Sequence, residues 1–198
     1  MRNSMYDIQT IFDELDQIDD LDILKKIENG LLDRSLTKMF WEQRKIALLA
    51  ETPEERKRAQ IKCRIIAKKY CACIPVKKNI KKFATPHGLT GIHISVGAKI
   101  GTGCTIYQHA IIGSNTMPDS KNQGFPTIGD NVFIGAGAMI IGNVKIGNNV
   151  RIGANAIVTK DVPDNSVVVL SGLRVIEKSE PLDNKFVPAG KYIQSQKQ

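Results

Sequence analysis

The chain has 198 residues, and its 28 lysines and arginines against 20 aspartates and glutamates give a formal net charge of +8 at pH 7. This length suits one domain, or a solenoid with a helical attachment, and argues against two large domains. No apolar run approaches the ~18 residues of a membrane span, and the acidic N-terminus lacks the apolar core of a secretion signal. We therefore expect a cytoplasmic protein with no membrane span.

Three helices are predicted before residue 73. Apolar residues at spacings of three and four predict the first over residues 5–32 and the second over residues 36–50. The third begins at a capping signal, with Thr52 as the N-cap, Pro53 at the first helical position and Glu55 placed to close a capping box. These helices make up an N-terminal helical region, residues 1–72, which we expect to cover an exposed strand edge of the next domain.

Positive charge is concentrated between residues 56 and 82, where eleven lysines and arginines occur without an acidic residue. Such a stretch can bind nucleic acid, but no nucleic-acid recognition motif accompanies it here. We interpret it as a solvated helix face beside a site for an anionic small molecule, and we expect no nucleic-acid partner.

The four cysteines do not form a metal-binding pattern. Cys71 and Cys73 are closer together than the usual pair of zinc ligands, and no second cluster accompanies them. We expect buried or incidental thiols, no disulfide framework and no metal.

A repeat of six residues dominates the chain from residue 94 to residue 158. An aliphatic residue returns at every sixth position, a small residue follows four places later, and Gly or Asn occupies the turns. The aliphatic positions are Ile94, Ile100, Ile106, Ile112, Ile128, Ile134, Ile140, Ile146, Ile152 and Val158. This period fits neither an amphipathic helix nor an alternating strand. One short strand and one turn per hexapeptide, with three hexapeptides per coil, predict a left-handed parallel β-helix. The fold class is therefore mainly β with an N-terminal α-helical segment.

The predicted β-helix domain covers residues 73–176. It begins irregularly near Ile74, and a last strand follows over residues 167–170 before Val175 and Ile176 finish the prism. The repeat is interrupted at 113–127 by a polar segment rich in turn-forming residues, which predicts a long loop projecting from a corner. Loops of this length in compact domains tend to be functional. Residues 177–198 form a predicted C-terminal extension.

Three segments carry a resemblance to a known family: PHGLTGI at 86–92, GAKIGTGCTIYQ at 97–108, and the block at 126–163. They resemble the hexapeptide-repeat acyltransferases, and within them the serine acetyltransferase-like branch. The resemblance implies transfer of an acetyl group from acetyl-CoA to an acceptor hydroxyl. It also implies a homotrimer with sites between neighbouring prisms, and a dimer of trimers is the larger assembly to test.

Acetyl transfer needs a general base, because a hydroxyl is a weak nucleophile at neutral pH, and histidine suits that task. By the resemblance, His87 matches the family's catalytic histidine, with an offset of one residue relative to Gly91. His109 follows inward Ile106 by three residues, near a corner, and is a second candidate for the active-site groove. His93 directly precedes an inward residue and is expected at the surface.

The resemblance also implies a cofactor groove. Ala136 and Ala154 occupy positions that line this groove in the family, with Ser114 near the thioester end. Arg151 and Lys160 are candidates for contacts with the CoA phosphates. Backbone N–H groups near Ser114 are candidate donors to the developing oxyanion.

The acceptor is less well specified. An eighteen-residue step back from Gly91 reaches Cys73, where the family has an aspartate that supports the base, and Pro86 replaces the Asp that precedes the base. The family's Arg-His-Pro is Gly-Phe-Pro at 124–126. These changes weaken L-serine as the acceptor and make a sugar hydroxyl a competitor, with Tyr107 and Phe125 as candidates to stack on a pyranose. The alternative function is a non-catalytic hexapeptide scaffold or regulatory protein.

Overall fold

The computed structural model describes residues 33–170. The helix predicted at 5–32, the strand predicted near Val175 and the extension at 177–198 lie outside the described residues, and the three domain boundaries stay predictions. Helix α1 spans Asp33–Leu49 and helix α2 spans Pro53–Lys69. The Thr52 side chain accepts a hydrogen bond from the Glu55 amide at 3.2 Å, so the predicted N-cap is confirmed. Within residues 33–170, no helix combines the length and apolar character needed to cross a bilayer.

In the described part of the chain, eleven short strands form three parallel sheets, which we call faces A, B and C. Face A contains β1 (His93–Ile94), β4 (Ile111–Gly113), β7 (Met139–Ile141) and β10 (Ile157–Val158). Face B contains β2 (Lys99–Ile100), β5 (Thr127–Ile128) and β8 (Lys145–Ile146). Face C contains β3 (Thr105–Ile106), β6 (Phe133–Ile134), β9 (Arg151–Ile152) and β11 (Val167–Val168). The chain visits A, B and C in turn, so the predicted left-handed parallel β-helix is confirmed.

Strand register gives the length of each coil. Met139 pairs with Ile157, a step of one regular eighteen-residue coil, whereas Ile111 pairs with Met139 across the interrupted repeat. The interruption adds its extra residues between faces A and B and leaves the strand pairing on both sides in phase. The extra residues therefore form a loop at the corner between these two faces.

The aliphatic residue of each hexapeptide points into the prism. All ten predicted inward positions are buried, and so are the small residues four places later. Burying an Ile side chain contributes roughly 1.5–3 kcal/mol, so repetition of this position supplies much of the driving force for folding. The six-residue period in the sequence therefore marks the residues that form the hydrophobic core.

The helices pack on the first, irregular coil, as expected. The Trp41 and Phe83 rings make an edge contact with centroids 4.9 Å apart, and Leu36 and Ile66 are fully buried in the same core as the prism. Buried Arg44 donates hydrogen bonds to the Lys77 and Ile80 carbonyls at 2.8 and 2.5 Å. Helix α1 therefore holds the turn that opens the β-helix.

The length of this first coil corrects one sequence-based alignment. Cys73 pairs with His93, twenty residues later, and the Gly91 amide donates to the Tyr70 carbonyl at 2.8 Å. The eighteen-residue step from Gly91 to Cys73 is wrong, because the first coil is longer than the regular ones. Cys73 consequently says nothing about whether the base has a supporting group.

All four cysteines are free thiols, two buried and two exposed. Burial raises the pKa of Cys63 to about 12, and the nearby Arg44 partly opposes this shift. Burial also raises the pKa of Cys104. These two thiols act as small core side chains, whereas Cys71 and Cys73 lie at the surface.

Candidate functional site

Two of the three corners of the prism carry the predicted site residues, apart from Arg151, which lies on face C. We call the corner between faces C and A the histidine edge, and the corner between faces A and B the loop edge. The histidine edge consists of residues 85–92, 107–110, 135–138 and 153–156 in successive coils. The loop edge consists of residues 95–98, 114–126, 142–144 and 159–160. Face A lies between these two edges.

The first corner of the histidine edge projects beyond the others. Ala84 on face C and His93 on face A lie nine positions apart in the chain, whereas Thr105 and Ile111, the matching pair one coil later, lie six apart. Leu89 is fully buried and anchors this longer segment in the core. His87 therefore lies exposed at the tip of an anchored corner.

The His87 imidazole has a defined partner on the next coil. Its Nδ1 lies 2.8 Å from Oε1 of Gln108, and its ring meets the Tyr107 ring edge-on with centroids 5.3 Å apart. Gln108 was not among the predicted site residues, since the register between the irregular first corner and the next coil cannot be read from the sequence. The only available signal was its position beside His109 at a predicted corner.

His109 lies on the same edge in a left-handed conformation, with φ of 61°. Its imidazole covers Gly91 so closely that a Cβ on Gly91 would overlap the ring. His109 and the exposed His93 both line a cavity of about 740 Å³ between face A and the end of α2, together with Tyr70 and Met139. The expectation that His93 lies at the surface is confirmed.

The histidine edge continues upward through a narrow strip of small residues. Ala136 and Ala154 lie at equivalent corners of successive coils, and the Asn155 amide donates to the Ala136 carbonyl at 2.9 Å. A Cβ on Gly135 would lie 2.6 Å from the Ala154 nitrogen, so the backbones approach without side chains between them. This surface suits a ligand that binds main-chain groups.

Face C carries an aromatic stripe beside the histidine edge. The Tyr107 and Phe133 rings are 5.1 Å apart between centroids, and the Arg151 guanidinium lies 6.0 Å from the centre of the Phe133 ring. Phe133 was not among the predicted site residues, although its position directly before inward Ile134 indicates an outward side chain. The stripe runs from His87 toward the cation of Arg151.

The loop edge holds the remaining site residues: Ser114, Phe125 and Lys160. The loop is a small hairpin in which Asn115 and Gly124 exchange backbone hydrogen bonds of 3.0 and 2.8 Å. The Asn122 side chain donates to the carbonyls of Ile141 and Thr159, both at 3.2 Å, and so fastens the loop along two further coils.

The two predicted stacking residues lie at different edges. The Phe125 ring packs over Gly97 at the loop edge, whereas Tyr107 contacts His87 at the histidine edge. Within one chain they therefore do not face a common sugar ring. Over residues 33–170, His, Cys, Asp and Glu side chains do not gather in the groups of three or more that could hold a metal ion.

Comparisons with known proteins agree with this architecture. Residues 125–160 match the family described as bacterial transferase hexapeptide (six repeats). The serine acetyltransferase of Staphylococcus aureus is 43% identical over 71 residues, which are 36% of this chain and 32% of that protein. The match therefore spans about a third of the length of these curated relatives.

Solved structures give the same picture over more of the chain. Soybean serine acetyltransferase complexed with serine superposes with a TM-score of 0.55 at 30% identity, covering 69% of this chain and 56% of that one. A serine acetyltransferase in complex with CoA has a TM-score of 0.52 at 25% identity, covering 65% and 51%. The predicted resemblance to hexapeptide-repeat acyltransferases is confirmed.

Proposed function

We propose that this protein is an acetyl-CoA-dependent O-acetyltransferase in which His87 is the general base. The observation that carries the proposal is the geometry of His87: the ring is exposed at a projecting corner, and Nδ1 is occupied by Gln108 at 2.8 Å. The remaining nitrogen, Nε2, is the atom available to an acceptor hydroxyl. The similarity to serine acetyltransferases supports the same reaction class.

The reaction requires one proton to move twice. His87 Nε2 takes the proton of the acceptor hydroxyl as its oxygen attacks the thioester carbonyl carbon. The C–S bond then breaks, and the imidazolium returns the proton to the departing CoA sulfur. The products are the O-acetyl ester and free CoA, and the base is regenerated for the next turnover.

Acetyl-CoA fits the strip of small residues on the histidine edge. We propose that the pantetheine arm lies along Ala136 and Ala154, where the stacked corners carry only small side chains. Arg151 extends from the adjacent face, and Lys160 lies on the loop edge, so each is a candidate contact for the CoA phosphates. Ser114, also on the loop edge, is assigned to the thioester end.

Both halves of this site meet if the protein is a homotrimer. Face A presents His93, Ile111, Met139 and Ile157 outward, the last two 37% and 65% exposed. The outward positions of face B are Lys99, Thr127 and Lys145. Burying face A around a threefold axis removes this apolar surface from water. It also brings the histidine edge of one copy beside the loop edge of the next. We propose that the N-terminal helical region can join two such trimers.

The first candidate acceptor is L-serine, because the similar proteins are serine acetyltransferases and the soybean structure contains serine. The aromatic pair of Tyr107 and Phe133 beside His87 favours a sugar hydroxyl as the second candidate, since aromatic faces stack on pyranose rings. His109, across the same edge, is proposed to line the acceptor groove. In a trimer, Phe125 reaches this groove from the neighbouring copy.

The test measures CoA binding and turnover separately. CoA should raise the melting temperature of both wild type and His87→Ala, since a ligand that binds only the folded state stabilises it. Acetyl transfer to L-serine, or to a panel of hexoses and nucleotide sugars, should disappear in His87→Ala alone. If His87→Ala retains turnover, His87 is not the base. If CoA does not raise the melting temperature of wild type, the non-catalytic scaffold is favoured.

A further inference from the structure

The side chain that contacts the proposed base is an amide, not a carboxylate. We propose that Gln108 is the positioning residue of His87 and holds its imidazole as the Nδ1–H tautomer, with Nε2 unprotonated. This inference rests on the proposed function of His87. The inference goes beyond that function because it names the residue that orients the base and sets its tautomer.

The direction of the hydrogen bond follows from the atoms involved. Oε1 of Gln108 is an amide oxygen and can only accept, so the Nδ1 of His87 must donate across their 2.8 Å separation. A neutral imidazole carries one N–H, and the partner of one nitrogen decides the state of the other. A proton on Nδ1 therefore leaves the Nε2 lone pair free to accept the hydroxyl proton.

Gln108 is itself held in place. Its carbonyl accepts a hydrogen bond from the Gly137 amide at 3.0 Å, which ties it to the coil above, and its side chain is half-buried. The ring of its neighbour Tyr107 meets the His87 ring at 81° and limits rotation of the imidazole. A base fixed on two sides approaches the acceptor in one orientation, which is what an efficient proton transfer requires.

An amide differs from a carboxylate in one respect that can be measured. A carboxylate would orient the ring and also stabilise the imidazolium, whereas a neutral amide only orients it. The unprotonated base should consequently persist to lower pH with Gln108 than with an acid at the same position. Gln108→Glu changes this property while retaining an acceptor for Nδ1.

The first experiment observes the tautomer directly and does not depend on turnover. Imidazole ¹⁵N shifts of the ¹⁵N-histidine-labelled protein, with His87 assigned by loss of its signals in His87→Ala, should show the Nδ1–H tautomer. In Gln108→Leu the Nε2–H tautomer should grow at its expense. The role of Gln108 is overturned if wild type shows the Nε2–H tautomer. It is also overturned if the proportion of the two tautomers in Gln108→Leu is the same as in wild type. If His87 is not the base, the tautomer result still stands, so the two failures are distinguishable.

The second experiment uses the acetyl-transfer reaction. Gln108→Leu should lower kcat by about 10–100-fold, part of the ~10²–10⁴ that a general base supplies, with the KM for acetyl-CoA unchanged. Gln108→Glu should restore much of kcat and move the acid limb of the pH profile to higher pH. Gln60→Leu on α2 is the matched control and should leave both quantities unchanged. Full activity in Gln108→Leu, or an unshifted acid limb in Gln108→Glu, contradicts the proposal.

Discussion

Gly91 lies directly beneath the imidazole of His109, and the absence of a side chain at Gly91 is what allows the ring to occupy this position. Gly91 also has φ of 63°, a conformation that costs other residues energy. Two separate requirements for glycine thus coincide at one position of the histidine edge.

Gly91→Ala should displace His109 and destabilise the fold by about 1–3 kcal/mol through backbone strain, with a loss of acetyl transfer. Gly103→Ala is the matched control, because Gly103 has φ of 69° but a Cβ added there would meet no atom closer than 3.8 Å. Chemical denaturation should show a loss of stability in both variants, at least as large in Gly91→Ala because its Cβ also displaces a ring, whereas activity should fall only in Gly91→Ala. Equal activities of Gly91→Ala and Gly103→Ala would show that acetyl transfer does not depend on the position of the His109 ring.

Ile157→Asp should break the proposed trimer, since it puts a charge at the most exposed apolar position among the outward side chains of face A. Lys145→Asp is a charge change at an exposed position on face B and should leave the assembly intact. Light scattering at working concentration measures both. A trimer that survives Ile157→Asp, or a wild type that is monomeric, contradicts burial of face A.

Ile140→Ala should lower the free energy of unfolding by about 2–5 kcal/mol, because the side chain is fully buried in the prism and its removal leaves a cavity. Ile46→Ala on α1 is the control, because it removes the same atoms from a position that is 38% exposed and should have a smaller effect. Urea denaturation of both variants at one protein concentration compares them, with the oligomeric state checked alongside. A small effect in Ile140→Ala would mean that the coils relax into the cavity.

Asp130 should make stability depend on pH. Hydrogen bonds from the Thr102 amide and, secondarily, from its hydroxyl lower the pKa of this carboxyl. Because the folded pKa lies below the unfolded value, the stabilisation is present above the usual Asp range and is lost as pH falls through the folded pKa. Asp130→Ala should therefore lower the melting temperature at neutral pH, and the difference from wild type should vanish in strong acid. Asp119→Ala removes a loop charge and serves as the control.

The prism was predictable from sequence because every inward position repeats the same environment, so the six-residue period reports burial directly. Ile134 and Ile152, for example, occupy equivalent positions in successive coils. The first coil was not predictable in the same way, since its twenty-residue length follows no repeat and misled the alignment of Cys73.

The candidate site residues could be named one by one from the sequence, but their arrangement could not be predicted from it. A motif identified His87, yet its contact with Gln108 depends on how an irregular corner stacks on a regular one. The separation of Tyr107 from Phe125 likewise depends on which corner each occupies. Both relationships are properties of the coil register, which short motifs do not carry.

Because the corners stack at a constant spacing, the number of coils fixes the distances between residues along the histidine edge. Ala154 lies three coils above the corner of His87, a rise of roughly 14 Å at about 4.8 Å per strand. Inserting or deleting one regular coil above His109 would move the upper contacts by one such step while leaving His87 and Gln108 unchanged. The span of the proposed ligand contacts along this edge is therefore set by the number of repeats, independently of the groups proposed to carry out the chemistry.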